Sequence, residues 1–156
     1  MPPKPKILIY IDGGSRGNPG PAACAAVLKS ADDGQTVLDQ GKFLGHATNN
    51  VAEYEGLLLG LELARQLKAA DIEIRSDSEL LVKQMLGVYR VKNPALRDLF
   101  DQAQDAIAPF AGVEIRHIRR ELNSEADALC NQTLDAAAKA KNSSPSSGPS
   151  GAFRLK

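Results

Sequence analysis

The sequence predicts one α/β domain in which helices cover the faces of a five-stranded mixed sheet. Three apolar segments follow one another near the N-terminus, and the last two flank Asp33 and Gly34, a dipeptide typical of hairpin turns. Beyond residue 50, strand patterns alternate with helical patterns. Hairpins produce antiparallel strand pairs, and strand–helix–strand units produce parallel pairs, so the sheet is expected to contain both.

The strands are predicted from short apolar or alternating runs. The first, KILIYID, is apolar enough to lie centrally in the sheet, and ACAAVLKS and TVLDQGKFLGH form the hairpin. The fourth, DIEIRSD, alternates between apolar and polar residues, and VEIRHI is the fifth. The five strands cover residues 6–12, 23–30, 36–46, 71–77 and 113–118.

Four helices are predicted between and after these strands. The stretch from Asn50 to Lys68 has helical periodicity, and SELLVKQMLG forms a second helix that Gly87 closes. Pro94 begins a third helix that reaches about residue 108. Asn123 is expected to cap a last helix that reaches about residue 139.

Composition divides the chain into a domain, residues 1–139, and a flexible C-terminal tail, residues 140–156. Residues 142–151, NSSPSSGPSG, are almost wholly Ser, Pro and Gly and cannot bury enough surface to offset their ordering entropy. No run reaches the roughly 18 apolar residues that a membrane span needs, and the start does not resemble a secretory signal. A cytoplasmic monomer with its two cysteines reduced and buried is therefore expected.

The charge balance disfavours a protein that holds nucleic acid through a broad basic field. The chain has 19 Lys and Arg against 19 Asp and Glu, and residues 1–139 carry 16 bases and 19 acids, a net charge of −3. Any site for a polyanion must be local or assisted by a cation. The clustered bases of the domain are Lys83, Arg90, Lys92, Arg97, Arg119 and Arg120.

Four acids occupy positions where a solvated carboxylate is not expected. Asp12 follows an apolar strand and precedes the glycine-rich GGSRGNPG, and Asp77 ends the fourth strand. Glu53 and Asp127 lie on the apolar faces of their helices. Each acid alone is also explained as a turn residue, a cap or a first-turn acid.

Taken together, the four acids indicate a metal site. Ligand sites in such sheets gather at the carboxyl ends of strands, where these carboxylates are expected to converge. Oxygen ligands suit Mg²⁺ or Mn²⁺ better than zinc. The two histidines do not compete, since His46 is expected in a surface loop and His117 as a packing residue in a strand.

Four segments, in this order, resemble type 1 ribonuclease H: DGGSRGNPGPA, ATNNVAEYEGLL, RSDSELLVKQM and NSEADALCN. The resemblance covers residues 8–139 and is greatest to the short bacterial and archaeal branch, because no basic protrusion is inserted around residues 88–94. It implies the ribonuclease H-like fold and hydrolysis of the RNA strand of an RNA/DNA hybrid, leaving 3′-hydroxyl and 5′-phosphate ends.

By motif, the resemblance implies that Asp12, Glu53, Asp77 and Asp127 are the catalytic residues and the ligands of two Mg²⁺ ions, with Mn²⁺ as an alternative. It places Asp12 between the two ions and Asp127 on the side of the attacking water. Glu53 and Asp77 are then on the side of the leaving oxygen. Two such cations can activate water and neutralise a phosphoryl transition state without an organic nucleophile.

The resemblance also implies a set of substrate contacts. Asn18, Asn49 and Asn50 match positions that meet the hybrid in its minor groove, and Thr48 matches one that meets a DNA phosphate. Amides and hydroxyls suit this task because the 2′-hydroxyl is both donor and acceptor. Without the resemblance, the TNN segment is equally well explained as a helix cap.

The chain departs from many relatives at three positions. The short loop RRELN, residues 119–123, has no histidine where many relatives carry one that assists proton transfer or product release. Val51 replaces an arginine and Glu79 a glutamine of some relatives. The last two departures concern the grip on the substrate, and all three leave the four acids intact.

Two other functional classes compete with a ribonuclease H. A transposase, integrase or junction resolvase of the same fold would share the acids and metals but act on DNA. A catalytically silent hybrid-binding module would have no use for an acidic cluster that repels phosphate. The glycine-rich segment is not a P-loop, because no Gly-Lys-Ser/Thr follows it.

Overall fold

The computed structural model describes residues 6–143, with side chains to residue 140, and shows one five-stranded mixed sheet. The strand order is β3-β2-β1-β4-β5, with β1–β2 and β2–β3 antiparallel and β1–β4 and β4–β5 parallel. The predicted fold class is therefore confirmed. The strands are β1 (Ile7–Ser15), β2 (Gly20–Ser30), β3 (Thr36–Ala47), β4 (Asp71–Ser76) and β5 (Gly112–His117).

Four helices surround the sheet, and side chains cap the first three. They are α1 (Asn49–Gln66), α2 (Glu79–Met85), α3 (Pro94–Ile107) and α4 (Ser124–Ser143), with a short 3₁₀ turn over Arg120–Asn123 before α4. Thr48, Ser78 and Asn93 accept hydrogen bonds from backbone amides in the first turns of α1, α2 and α3. None of the helices in residues 6–143 is long and apolar enough to cross a membrane.

The last helix extends four residues beyond the predicted domain boundary at residue 139. Its final segment, AAAKAKNS, is rich in alanine and lysine, which favour helix strongly enough to continue it into the segment assigned to the tail. The rest of the predicted tail, residues 144–156, lies outside the described residues.

The two faces of the sheet are covered by different helices. Ala26 and Leu28 of β2 belong to the main core, in which α1 packs on β1 and α3 packs on α1. Ala23 and Ala25 alternate with them and pack against Cys130 and Leu134 of α4. Because successive strand residues point to opposite faces, α4 covers the face opposite α1.

The contact between α1 and β1 requires glycine. A Cβ atom at Gly56 would lie 2.7 Å from the carbonyl oxygen of Asp12, and one at Gly60 would lie 2.6 Å from Cγ2 of Ile9. A Cβ atom at Gly13 would overlap the carbonyl of Ala52. The helix backbone therefore lies directly on the strand that carries Asp12.

We predict that Gly56→Ala lowers the free energy of unfolding by about 1–2 kcal/mol. The steric cost of moving α1 away from β1, about 1–3 kcal/mol, exceeds the gain of about 1 kcal/mol in helix propensity. Denaturant unfolding measures the difference. Gln66→Ala, on the exposed end of the same helix, is the control and should change stability by less than about 0.5 kcal/mol. A stabilised Gly56→Ala variant would show that the close approach is not limiting.

Candidate active site

Asp12 and Asp77 lie side by side because β1 and β4 are parallel and in register. The last paired residues of the two strands are Ile11 and Ser76. Asp12 and Asp77 follow them directly, so both carboxylates emerge at the same edge of the sheet. The sequence predicts that Asp12 follows β1. In the structure Asp12 lies within β1, since this strand continues to Ser15 through pairing with β2.

Glu53 is brought to this edge by α1. The helix begins beside the end of β1, and its glycine contact places the second turn over Asp12. Glu53 is half-buried, as the helical wheel predicts, while Glu62 on another face is exposed and bonded to Arg65. Burial raises the pKa of Glu53. A hydrogen bond with Ser78, which also caps α2, lowers this pKa by a smaller amount.

Asp127 is positioned by Asn123, a buried residue with 1% of its surface exposed. Asn123 Nδ2 donates a 2.8 Å hydrogen bond to the carbonyl oxygen of Ile11, the residue before Asp12. The prediction that Asn123 caps the last helix is wrong, because its side chain binds the sheet and not the amides of α4. This bond ties the start of α4 to β1 and directs Asp127 towards Asp12.

The four acids line one open cleft of about 390 Å³. All four are half-buried. Burial and the negative charges of Asp77 and Asp127 raise the pKa of Asp12 to about 7, although a backbone hydrogen bond with Gly13 lowers it. Burial and the charge of Asp77 likewise raise the pKa of Glu53 to about 7. The cleft therefore concentrates negative charge that the surrounding protein does not neutralise.

The donor set of the cleft fits Mg²⁺ or a similar cation. The four carboxylates supply only oxygen ligands. The pKa values of Asp12 and Glu53 are raised by burial and then by neighbouring carboxylates, and a bound cation would oppose both effects. Within residues 6–143, no three of the His, Cys, Asp and Glu side chains are close enough to enclose an ion by themselves. This arrangement is compatible with Mg²⁺, which usually keeps several waters and binds one or two carboxylates.

The four residues predicted to contact substrate lie together beside the acids, but three of them also have structural roles. Asn49 lines the acid cleft, and its Oδ1 accepts a 2.7 Å hydrogen bond from the backbone amide of Ser15. Asn18 Oδ1 accepts from the backbone amide of Asn49 at 3.1 Å. Thr48 caps α1 through the amide of Val51. Asn18, Thr48 and Asn50 line an adjoining groove of about 330 Å³.

Each histidine differs in one respect from its predicted setting, although His117 lies in a strand as predicted. His46 lies in β3 and not in a loop, although it is exposed as expected. His117 ends β5 and is exposed rather than packed, with Nε2 lying 3.3 Å from the carbonyl oxygen of Asp77. Neither histidine lines the acid cleft.

Sequence reasoning did not assign site roles to Ser78, Arg16 and Asn123. Ser78 bonds Glu53, Arg16 lines the cleft, and Asn123 anchors α4. All three lie inside the motif segments, and a single basic residue in a loop otherwise built of Gly, Ser, Asn and Pro was the available signal for Arg16. Arg120 also lines the cleft.

A family model described as "Reverse transcriptase-like" matches residues 10–133. A bifunctional protein of Mycobacterium tuberculosis is 44% identical over 133 residues, which are 85% of this chain and 36% of that protein. A ribonuclease HI of Halobacterium salinarum is 44% identical over 132 residues, 85% of this chain and 66% of that protein. The chain thus spans about a third of the first relative and just under two thirds of the second.

Solved structures of ribonuclease H proteins are also similar to this chain. The N-terminal RNase H domain of the Mycobacterium tuberculosis protein superposes with a TM-score of 0.84 at 43% identity, over 88% of this chain and 99% of that one. LC11-RNase H1 in complex with an RNA/DNA hybrid superposes with a TM-score of 0.80 at 42% identity, over 85% of this chain and 99% of that one. With a family model that covers most of its length and such identity to whole solved domains, the chain belongs to the ribonuclease H family.

Proposed function

We propose that the protein is a metal-dependent endoribonuclease that hydrolyses the RNA strand of RNA/DNA hybrids. The observation that carries the proposal is the convergence of four half-buried carboxylates on one open cleft at the carboxyl edge of β1 and β4. Family membership supports the reaction class, and the hybrid bound to the similar LC11 enzyme supports the substrate.

The proposed mechanism uses two Mg²⁺ ions, or Mn²⁺ in their place. When bound, the ions would activate water and neutralise the phosphoryl transition state, so that cleavage leaves 3′-hydroxyl and 5′-phosphate ends. Asp12 would hold both ions, Asp127 would lie on the side of the attacking water, and Glu53 and Asp77 on the side of the leaving oxygen. Ser78 and Asn123 would orient two of these acids through the contacts described above.

Substrate discrimination is proposed to depend on the polar groups beside the cleft. Asn50 is exposed, and its side chain forms no hydrogen bond within residues 6–143, so its amide is available to a ligand. The NH₂ groups of Asn18 and Asn49 remain donors, since within residues 6–143 only their oxygens form hydrogen bonds. Donors of this kind can read the 2′-hydroxyl of RNA. The monomeric state and the cytoplasmic location stay predictions.

We predict that Asp12→Asn and Asp77→Asn each reduce hybrid cleavage more than about a hundredfold, since a neutral amide of similar size is a poor ligand for Mg²⁺. The measurement compares a labelled RNA/DNA hybrid with single-stranded RNA, double-stranded RNA and duplex DNA in Mg²⁺. Asp101→Asn, an exposed acid of α3, is the matched control and should retain full activity. Normal turnover in either active-site variant would contradict the two-metal assignment, and preference for duplex DNA would contradict the proposed substrate.

We predict that Asn50→Ala weakens hybrid cleavage at least about tenfold and leaves the melting temperature nearly unchanged, because its amide has no partner in the described part of the chain. Asn49→Ala should lower both activity and stability, since it also releases the amide of Ser15. Steady-state kinetics and thermal unfolding separate the two effects. Equal loss of stability in both variants would assign the segment to helix capping alone.

We predict that, without divalent metal, the stability advantage of Asp12→Asn over the unmodified protein grows as the pH rises from about 4 to 7. The pKa of Asp12 is about 7 in the folded protein and near 3.8 when unfolded, so the unfolded chain loses its proton first and unfolding is favoured across this interval. The contribution of Asp12 to stability is complete below the unfolded pKa and lost above the folded pKa.

Thermal unfolding in EDTA at several pH values measures this effect. The variant should melt at least about 3 °C above the unmodified protein at pH 8, because 1 kcal/mol corresponds to roughly 2–4 °C in a domain of this size. Added Mg²⁺ should reduce the difference in melting temperature between Asp12→Asn and the unmodified protein. A difference that does not depend on pH would show that Asp12 is ionised normally in the folded protein.

A further inference from the structure

The loop between β1 and β2 places one basic side chain, Arg16, against the acid cleft. Nη2 of Arg16 forms a 2.7 Å salt bridge with Oδ1 of Asp135 and lies 3.5 Å from the carbonyl oxygen of Asn131, both on α4. Asn131 lines the cleft one helical turn beyond Asp127. The guanidinium therefore lies along the wall of the cleft, on the side of α4 and Asp127.

The backbone that carries Arg16 is held firmly. The amide of Arg16 donates a 2.8 Å hydrogen bond to the carbonyl oxygen of Pro21, and the preceding amide, that of Ser15, binds Asn49. A Cβ atom on Gly20 would overlap the carbonyl of Arg16, so the loop is closed tightly beneath it. The side chain starts from a fixed point, and only its outer atoms can change partner.

The present partner of Arg16 holds it weakly. The Arg16 side chain is 45% exposed and that of Asp135 is 69% exposed. Ion pairs between exposed side chains contribute little to stability, and salt screens them. The guanidinium can therefore leave Asp135 at small cost when a stronger anionic partner arrives.

A phosphodiester is the anion that best matches this site. A carboxylate and a phosphate each offer two oxygens to the planar guanidinium fork, so Asp135 marks a position at which Arg16 can bind a phosphate. The cleft otherwise repels a polyanion, because four carboxylates line it. Cations bound to these acids would serve the scissile phosphate, whereas a flanking phosphate needs a cation from the protein.

We propose that Arg16 binds a backbone phosphate of the RNA strand beside the scissile bond, and that Asp135 holds its guanidinium in place while no substrate is bound. The inference rests on the proposed ribonuclease H activity, which places the RNA strand in this cleft. Arg16 is thus a substrate-binding residue that exchanges a protein carboxylate for a phosphate.

A purely structural bridge makes a different prediction. If Arg16 and Asp135 only tie the loop to α4 and so position Asp127, removing either partner breaks the same bridge and has the same effect. If Arg16 binds phosphate, removing Asp135 frees the guanidinium and removes a competing anion. The two variants should then change hybrid binding in opposite directions.

The test measures hybrid affinity by fluorescence anisotropy in Mg²⁺, from about 50 to 200 mM salt, in the cleavage-deficient Asp77→Asn background. Arg16→Gln should weaken binding about three- to tenfold at low salt and make the slope of log affinity against log salt shallower by about 0.7–0.9, the loss of one phosphate contact. Asp135→Asn should bind equally or more tightly with an unchanged slope. Arg16→Lys should keep the slope at intermediate affinity, since it retains charge but not the fork.

Kinetics in the otherwise unmodified enzyme provide a second readout. Arg16→Gln should raise KM with little change in kcat, because the contact is made to the bound ground state as well as the transition state. Melting temperatures should stay within about 2 °C of the parent for both substitutions, since the pair is exposed.

Equal losses of affinity in Arg16→Gln and Asp135→Asn, or an Arg16→Gln variant with an unchanged salt slope and KM, would overturn the inference. These outcomes leave the proposed function intact if the unmodified protein cleaves hybrid. Absence of hybrid cleavage by the unmodified protein overturns the proposed function and this inference with it, so the two failures are distinguishable.

Discussion

The cleft is built around Ile11 and Asp12, where the pairing of β1 with β4 ends. The parallel register of Ile11 with Ser76 places Asp77 beside Asp12. Glycine at position 56 lets α1 rest on the carbonyl of Asp12 and so brings Glu53 to the same edge. The carbonyl oxygen of Ile11 accepts a hydrogen bond from Asn123, the residue directly before α4. Three separate elements thus position their carboxylates against two consecutive residues of one central strand.

This convergence has an electrostatic cost that the fold does not remove. Asp12 and Glu53 both have pKa values raised to about 7, chiefly by burial and then by neighbouring carboxylates. Salt bridges could neutralise these two acids, yet the ion pairs within residues 6–140 involve other acids. Such a site destabilises the fold when it is empty and attracts cations strongly, which is common at functional sites.

Some of the clustered basic side chains are paired with acids and others are not. Of the bases clustered between residues 83 and 97, Lys83 pairs with Glu79 and Arg97 with Asp101, so these two are partly engaged by the helices that carry them. Arg90 and Lys92 are exposed and form no ion pair within the described residues. With a net charge of −3, residues 1–139 have no excess of basic side chains for binding a polyanion. The proposed binding of hybrid would therefore depend on a few cations near the cleft, Arg16 and Arg120 among them.

The sequence by itself determined the order of elements, the mixed sheet and the inward direction of Glu53 and Asp127, because periodicity and turn residues are local signals. The four motif segments also predicted the family and the four acids that line the cleft. The tertiary structure decided what local patterns cannot encode. Asn123 anchors α4 to a strand more than a hundred positions away and does not cap the helix, β1 continues to Ser15 because β2 supplies a partner, and Arg16 meets an acid on α4. The identity of a polar residue does not indicate which distant backbone group or charged side chain it will contact. That contact depends on how the strands and helices pack against one another.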